Sequence, residues 1–84
     1  MNSKQRLTLK KIFETPIRAD VGWREVESLL RALGGEISEG SGSRVRVALN
    51  GVRAVFHRPH PSPHTDKGAV KSVRRFLEEG GIRP

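Results

Sequence analysis

Three histidines and a run of arginines are the side chains here that could do chemistry. The histidines are His57, His60 and His64. An imidazole exchanges a proton near neutral pH, its unperturbed pKa being about 6.5, so each is a candidate general base or acid. Arg44, Arg46 and Arg53 lie just upstream of His57. Arginine stays protonated, so none of them serves as a base, but a guanidinium binds a phosphate bidentately and stabilises developing charge. The chain has no cysteine, hence no disulfide framework and no thiol or Cys-metal site. His57 and His60 have a spacing a metal could use, yet no nearby carboxylate or third close ligand accompanies them, and no metal site is expected.

What positions these residues is the stretch from Gly40 to Pro61. Two alternating runs, Arg44 to Leu49 and Val52 to His57, flank Asn50-Gly51. Asn-Gly between such runs signals a two-residue type I′ hairpin turn, because both turn positions need positive φ. A two-residue loop also sets the register: Leu49 opposite Val52, Ala48 opposite Arg53, Val47 opposite Ala54, Arg46 opposite Val55, Val45 opposite Phe56 and Arg44 opposite His57. Strand side chains alternate, so this pairing sorts the residues onto two faces. One face is apolar (Val45, Val47, Leu49, Val52, Ala54, Phe56) and must be covered. The other carries Arg44, Arg46, Arg53 and His57 around Ala48 and Val55. It reads either as an ordinary solvated sheet face or as an anion-binding surface.

The elements around the hairpin follow from periodicity. Ser3 to Phe13 is predicted helical, with Ser3 as a possible N-cap and Leu9, Ile12 and Phe13 on one side. Lys4 and Arg6 in the first turn oppose the helix dipole, which invites fraying or a partner. Pro16 ends this segment. Trp23 to Leu33 carries a stripe of Trp23, Val26, Leu29, Leu30 and Leu33 and closes at Gly34-Gly35, so it is a core helix. Glu36-Ile37-Ser38 suits a short first strand beside the hairpin. The Gly40-Ser41-Gly42-Ser43 run lacks the lysine and following helix of a P-loop and reads as a connection. Prolines 59, 61 and 63 forbid a helix. Thr65 or Asp66 then caps a helix to about Glu79, with Ala69, Val70, Val73, Phe76 and Leu77 inward and Lys67, Lys71, Arg74 and Arg75 on exposed flanks. Ile82 folds back on the core. The fold class is α+β: an α-β-β-β-α order like that of double-stranded-RNA-binding domains, with an additional N-terminal helix and a three-stranded antiparallel sheet carrying its helices on one face.

Length and charge bound the function. Eighty-four residues make one small domain, residues 1–84, with 1–16 as an N-terminal helical extension. No signal-type run and no stretch of ~20 apolar residues occurs, so a soluble chain that does not span a membrane is expected, and its place is taken to be the cytoplasm. The net charge is +7. Residues 1–39 hold seven basic and six acidic side chains, whereas residues 40–84 hold nine basic and three acidic. Such a concentrated positive field suits a polyanion: nucleic acid, an anionic membrane surface or an acidic protein.

Several motifs follow one another in order: the Leu29-Leu30-Arg31-Ala32-Leu33-Gly34 helix end, a Gly-Ser-X step opening the second strand, and the Pro59-His60-Pro61 step. A Lys67-Gly68 pair and a last helix closing in Gly81-Ile82 complete them. Together, over about residues 23–82, they resemble the HicA family of toxins of bacterial toxin–antitoxin systems. The resemblance implies an mRNA endoribonuclease acting without a metal or other cofactor, neutralised by a HicB-type antitoxin. It also implies a catalytic histidine in a Gly-Ser-His step. Here that step reads Gly42-Ser43-Arg44, so a histidine must come from elsewhere. His57, opposite Arg44, and His60, in the Pro-His-Pro step, are the candidates, with Arg44 as phosphate ligand. His64 has least support.

Three readings fit these residues: an endoribonuclease using His57 or His60 with Arg44, an RNA-binding module without catalysis, and a domain whose basic face docks an acidic protein. RNA contacts are expected from Arg44, Arg46, Arg53, Lys67, Lys71 and Arg74, to phosphates and therefore with weak sequence preference. An antitoxin would inhibit by covering this face. The N-terminal helix is open to that contact or to self-association.

Overall fold

Residues 1–60 and 62–84 are described by a computed structural model. Pro61, part of the Pro-His-Pro step, lies outside the described residues. The elements run α1 (Ser3–Ile12), α2 (Trp23–Ala32), β1 (Glu36–Glu39), β2 (Arg44–Leu49), β3 (Val52–His57) and α3 (Lys67–Glu79). The strands form one antiparallel sheet in the order β1-β2-β3.

The hairpin adopts the register that its turn dictates, all six pairs from Leu49–Val52 to Arg44–His57. Asn50 and Gly51 take φ of 51° and 81°, the positive values a type I′ turn requires. The Asn50 side chain also donates to the Gly80 carbonyl at 2.8 Å, so the turn caps the C-terminal end of α3. Valines 45 and 47, Leu49 and Phe56 are buried beneath the sheet. Phe56 links both flanking helices: its ring lies 6.1 Å from that of Trp23 and meets Phe76 edge-on at 5.6 Å.

The helices end by the same device. Gly34 and Gly81, at φ of 93° and 76°, sit just past α2 and α3. Gly35 N–H then donates to Leu30 O and Ile82 N–H to Leu77 O, both at 2.8 Å, the backbone pattern of a Schellman cap. That cap turns Ile82 back against the core as expected. At the other end of α3, Asp66 and not Thr65 is the cap, its carboxylate accepting from Ala69 N–H at 2.7 Å. Thr65 is buried instead, and its N–H and hydroxyl both reach the Val21 carbonyl at 2.9 Å.

α1 differs most from expectation. Asn2 caps it rather than Ser3. The Asn2 side chain accepts from Gln5 N–H at 2.8 Å, and the Gln5 side chain accepts from Asn2 N–H at 2.9 Å. This reciprocal capping box satisfies two amide donors and holds an end whose basic first turn suggested fraying. Gln5 also donates to the Ser28 hydroxyl on α2 at 3.0 Å. The expected extension is part of the core: Thr8, Leu9 and Ile12 are buried, and α1 packs against both α2 and α3. α2 in turn lies on β1 and α3 on β3. The helices therefore cover one face of the sheet and leave the other open.

Candidate nucleic-acid interface

The hairpin geometry brings the open-face residues close together. In a two-residue hairpin the pair next to the turn exchanges backbone hydrogen bonds, and bonded and non-bonded pairs alternate from there. Arg44–His57, Arg46–Val55 and Ala48–Arg53 thus all fall at non-bonded positions, where Cα atoms approach to about 4.5 Å and side chains lie closest. The Arg58 N–H bond to Ser43 O at 2.9 Å, one residue beyond Arg44–His57, has the spacing this alternation demands. Arg44 and His57 are both exposed, side by side at the open end of the sheet.

β1 extends this surface. It pairs Ser38 with Arg46 and Glu36 with Ala48. The open face is then three rows deep: Arg44–His57, next Ser38–Arg46–Val55, then Glu36–Ala48–Arg53. Successive rows lie about 6.7 Å apart along the strands. The second and third rows line a trough of about 490 Å³ whose wall includes Glu36, Ser38, Arg46 and Arg53. Its floor is Ala48 and Val55, and Val55 is 55% exposed.

The end of the sheet that bears Arg44 and His57 is braced from beneath. Arg58 grips Glu39 at the end of β1 through Nη1–Oε1 and Nη2–Oε2 contacts, both 2.6 Å, and reaches Glu27 Oε2 on α2 at 3.2 Å. The same Glu27 oxygen accepts from Trp23 Nε1–H at 2.8 Å. The paired guanidinium holds the Glu39 carboxyl below its usual range, and the two carboxylates push the Arg58 pKa up. Sequence reasoning missed this cluster. Arg58 follows its strand, and its partners lie 19 and 31 residues away. Glu36 and Ser38 were missed as face residues because no tight turn sets the register of β1.

The six expected RNA ligands do not form one surface. Arg44, Arg46 and Arg53 share the open face. Lys67 and Lys71 are exposed on α3, which packs on the other side of the sheet. A groove of about 330 Å³ runs between α3 and the β3 edge, lined by His57, Arg58, Thr65, Asp66, Ala69 and Ser72. Arg74 requires correction as an exposed ligand. Its Nε and Nη2 donate to the Ile12 and Glu14 carbonyls at 2.8 and 2.6 Å, and its guanidinium lies 5.7 Å from the Phe13 ring centre. It caps the C-terminal end of α1, where a cation is favoured by the exposed carbonyls.

The histidines separate too. His57 lies on the open face, and His60 is exposed in the segment beyond β3. His64 is exposed with its backbone bridged to Gly22, at the start of α2. Among the described residues no three His, Asp or Glu side chains are placed to hold a metal ion, and no helix is long and apolar enough to cross a membrane.

Comparison with known proteins supplies the family. A family model described as the HicA toxin of bacterial toxin–antitoxin systems matches residues 23–82. No curated protein and no solved structure matches the chain. The matched span takes in α2, the whole sheet and α3, hence every element that builds the open face and its brace. With most of its length so matched, the chain belongs to the HicA family, the toxins of bacterial toxin–antitoxin systems.

Proposed function

We propose that this toxin is an mRNA endoribonuclease that works without a metal, acts in the cytoplasm as one domain, and is silenced by a HicB-type antitoxin covering the open face. The observation that carries the reading is the direct pairing of Arg44 with His57 on an exposed basic surface. Arg44 binds the scissile phosphate and stabilises the charge that builds on it. His57 takes the proton from the ribose 2′-OH, and O2′ attacks phosphorus. The P–O5′ bond breaks, leaving a 2′,3′-cyclic phosphate, while O5′ takes a proton from water and His57 returns its own to solvent. His57 is held beside Arg44 by the β2–β3 register, whereas His60 lies beyond the strand end, so His57 is the better placed base.

A second reading has its own support. Arg44 stands where the family resemblance places a catalytic histidine, which favours an RNA-binding protein without cleavage. One experiment separates the two. The purified chain is incubated with messenger RNA in EDTA, beside His57→Ala, His60→Ala and Arg44→Ala variants. Cleavage reduced about 10²-fold or more in His57→Ala but kept in His60→Ala supports the proposal. Salt-sensitive binding with no cleavage in any form supports the second reading. An absence of both would discard RNA as the target.

A further inference from the structure

The trough on the open face contains a side chain that phosphate binding does not need. Glu36 lies in its wall, exposed, in one row with Ala48 and Arg53. A carboxylate among three arginines weakens the hold of the face on an RNA backbone. Nor does it serve the fold: among the described residues Glu36 makes no ion pair and no side-chain hydrogen bond, although Arg46 and Arg53 line the same trough.

A free carboxylate offers two acceptor oxygens side by side. Guanine is the RNA base whose Watson–Crick edge presents two adjacent donors, N1–H and the N2 amino group. Adenine and cytosine place an amino group beside an acceptor nitrogen. Uracil places one N–H between two carbonyls. A bidentate carboxylate contact therefore selects guanine. The rest of the trough suits a base as well. Ala48 and the exposed Val55 make an apolar floor. Arg46 and Arg53 are diagonal neighbours across the β2–β3 ladder, roughly 7–8 Å apart, and guanidinium planes stack on bases. The Arg44–His57 row lies about 13 Å along the strands from the Glu36 row, with the Val55 row midway. A phosphate on Arg44 leaves a base of a neighbouring nucleotide over the trough.

We propose that Glu36 reads a guanine next to the scissile phosphate, which makes the trough a base-recognition subsite. This rests on the RNA reading above and replaces the expectation of phosphate contacts alone. The test uses short 2′-O-methyl RNAs, which lack the attacking hydroxyl and so report binding without cleavage. Uridine oligomers carrying one guanosine, inosine or adenosine are titrated by fluorescence anisotropy against the full chain and against Glu36→Gln. Inosine lacks only the N2 amino group. The expected result is about tenfold tighter binding of the guanosine oligomer, a preference lost in Glu36→Gln while the plain uridine oligomer binds no worse. Equal binding of all oligomers by the parent chain would overturn the subsite and leave RNA binding standing. Uniform tightening in Glu36→Gln, with the preference intact, would also overturn it, since Glu36 would then act by charge alone. Failure of every oligomer to bind at low salt would remove the RNA reading itself.

Discussion

Arg58 and Glu39 meet in a two-point grip, Nη1 on Oε1 and Nη2 on Oε2, both at 2.6 Å. The pair joins the segment after β3 to the end of β1, across the start of β2 where Arg44 sits. Through Glu27 the same guanidinium is tied to α2. The two strand ends beside the Arg44–His57 pair are thus held together from the helical side while their open side stays free.

This grip makes stability depend on acid pH. Arg58 holds the Glu39 carboxyl below its usual value, and Arg18 holds Asp20 down to about 2. A carboxyl with a depressed pKa in the fold contributes stability above its unfolded pKa, about 4, and loses it as pH falls through the folded value. Glu39→Gln should be less stable than the parent at pH 7, and the difference should shrink below about pH 4. Urea midpoints measured from pH 7 to pH 2 check this. A constant gap would show that the pair does not couple to protonation.

Glu27 serves two donors at once, Trp23 Nε1–H and Arg58. Removing its carboxylate leaves a buried indole N–H without a partner, which costs about 1–3 kcal/mol. Glu27→Ala should lose that much in chemical denaturation, and Glu27→Gln, which keeps an acceptor, clearly less.

α1 carries core residues, so it should not be dispensable. Ile12 is fully buried, and Ile12→Ala should destabilise by about 2–4 kcal/mol. Deleting residues 1–16 would also uncover the surfaces of α2 and α3 that α1 packs on. Loss of cooperative thermal unfolding in the truncated chain is the expected readout. A well-folded truncation would return α1 to the status of an appendage.

Arg74 and the sheet arginines should respond to different assays. Arg74→Ala should lower stability by roughly 1–3 kcal/mol, because the Ile12 and Glu14 carbonyls lose their donor, and leave RNA affinity little changed in the folded protein. Under the proposed RNA role, alanine at Arg44, Arg46 or Arg53 should leave stability nearly unchanged. Arg44→Ala, which removes the proposed phosphate ligand, should reduce the slope of log affinity against log salt by about 0.7. Paired denaturation and salt titrations distinguish the two classes.

The sequence was sufficient for the hairpin because its information is local. Asn50-Gly51 admits one tight turn, that turn sets the register, and alternation then assigns Arg44, Arg46, Arg53 and His57 to one face. The stripes of α2 and α3 and their glycine ends were legible for the same reason, since each rests on spacing within one element. The Asn2–Gln5 capping box was present in the sequence, but Ser3 is an equally acceptable cap by type, and only the chain's path decided between them. Three features were decided by the tertiary structure alone. The register of β1 placed Glu36 in the arginine trough. The packing of α1 drew Arg74 off the surface. Convergence of α2, β1 and the chain after β3 made Arg58 a brace. Each joins residues far apart in the chain through side chains whose partners no local pattern specifies. Composition and spacing therefore determined which residues form the basic face, and three-dimensional packing decided which arginines remain free to use it.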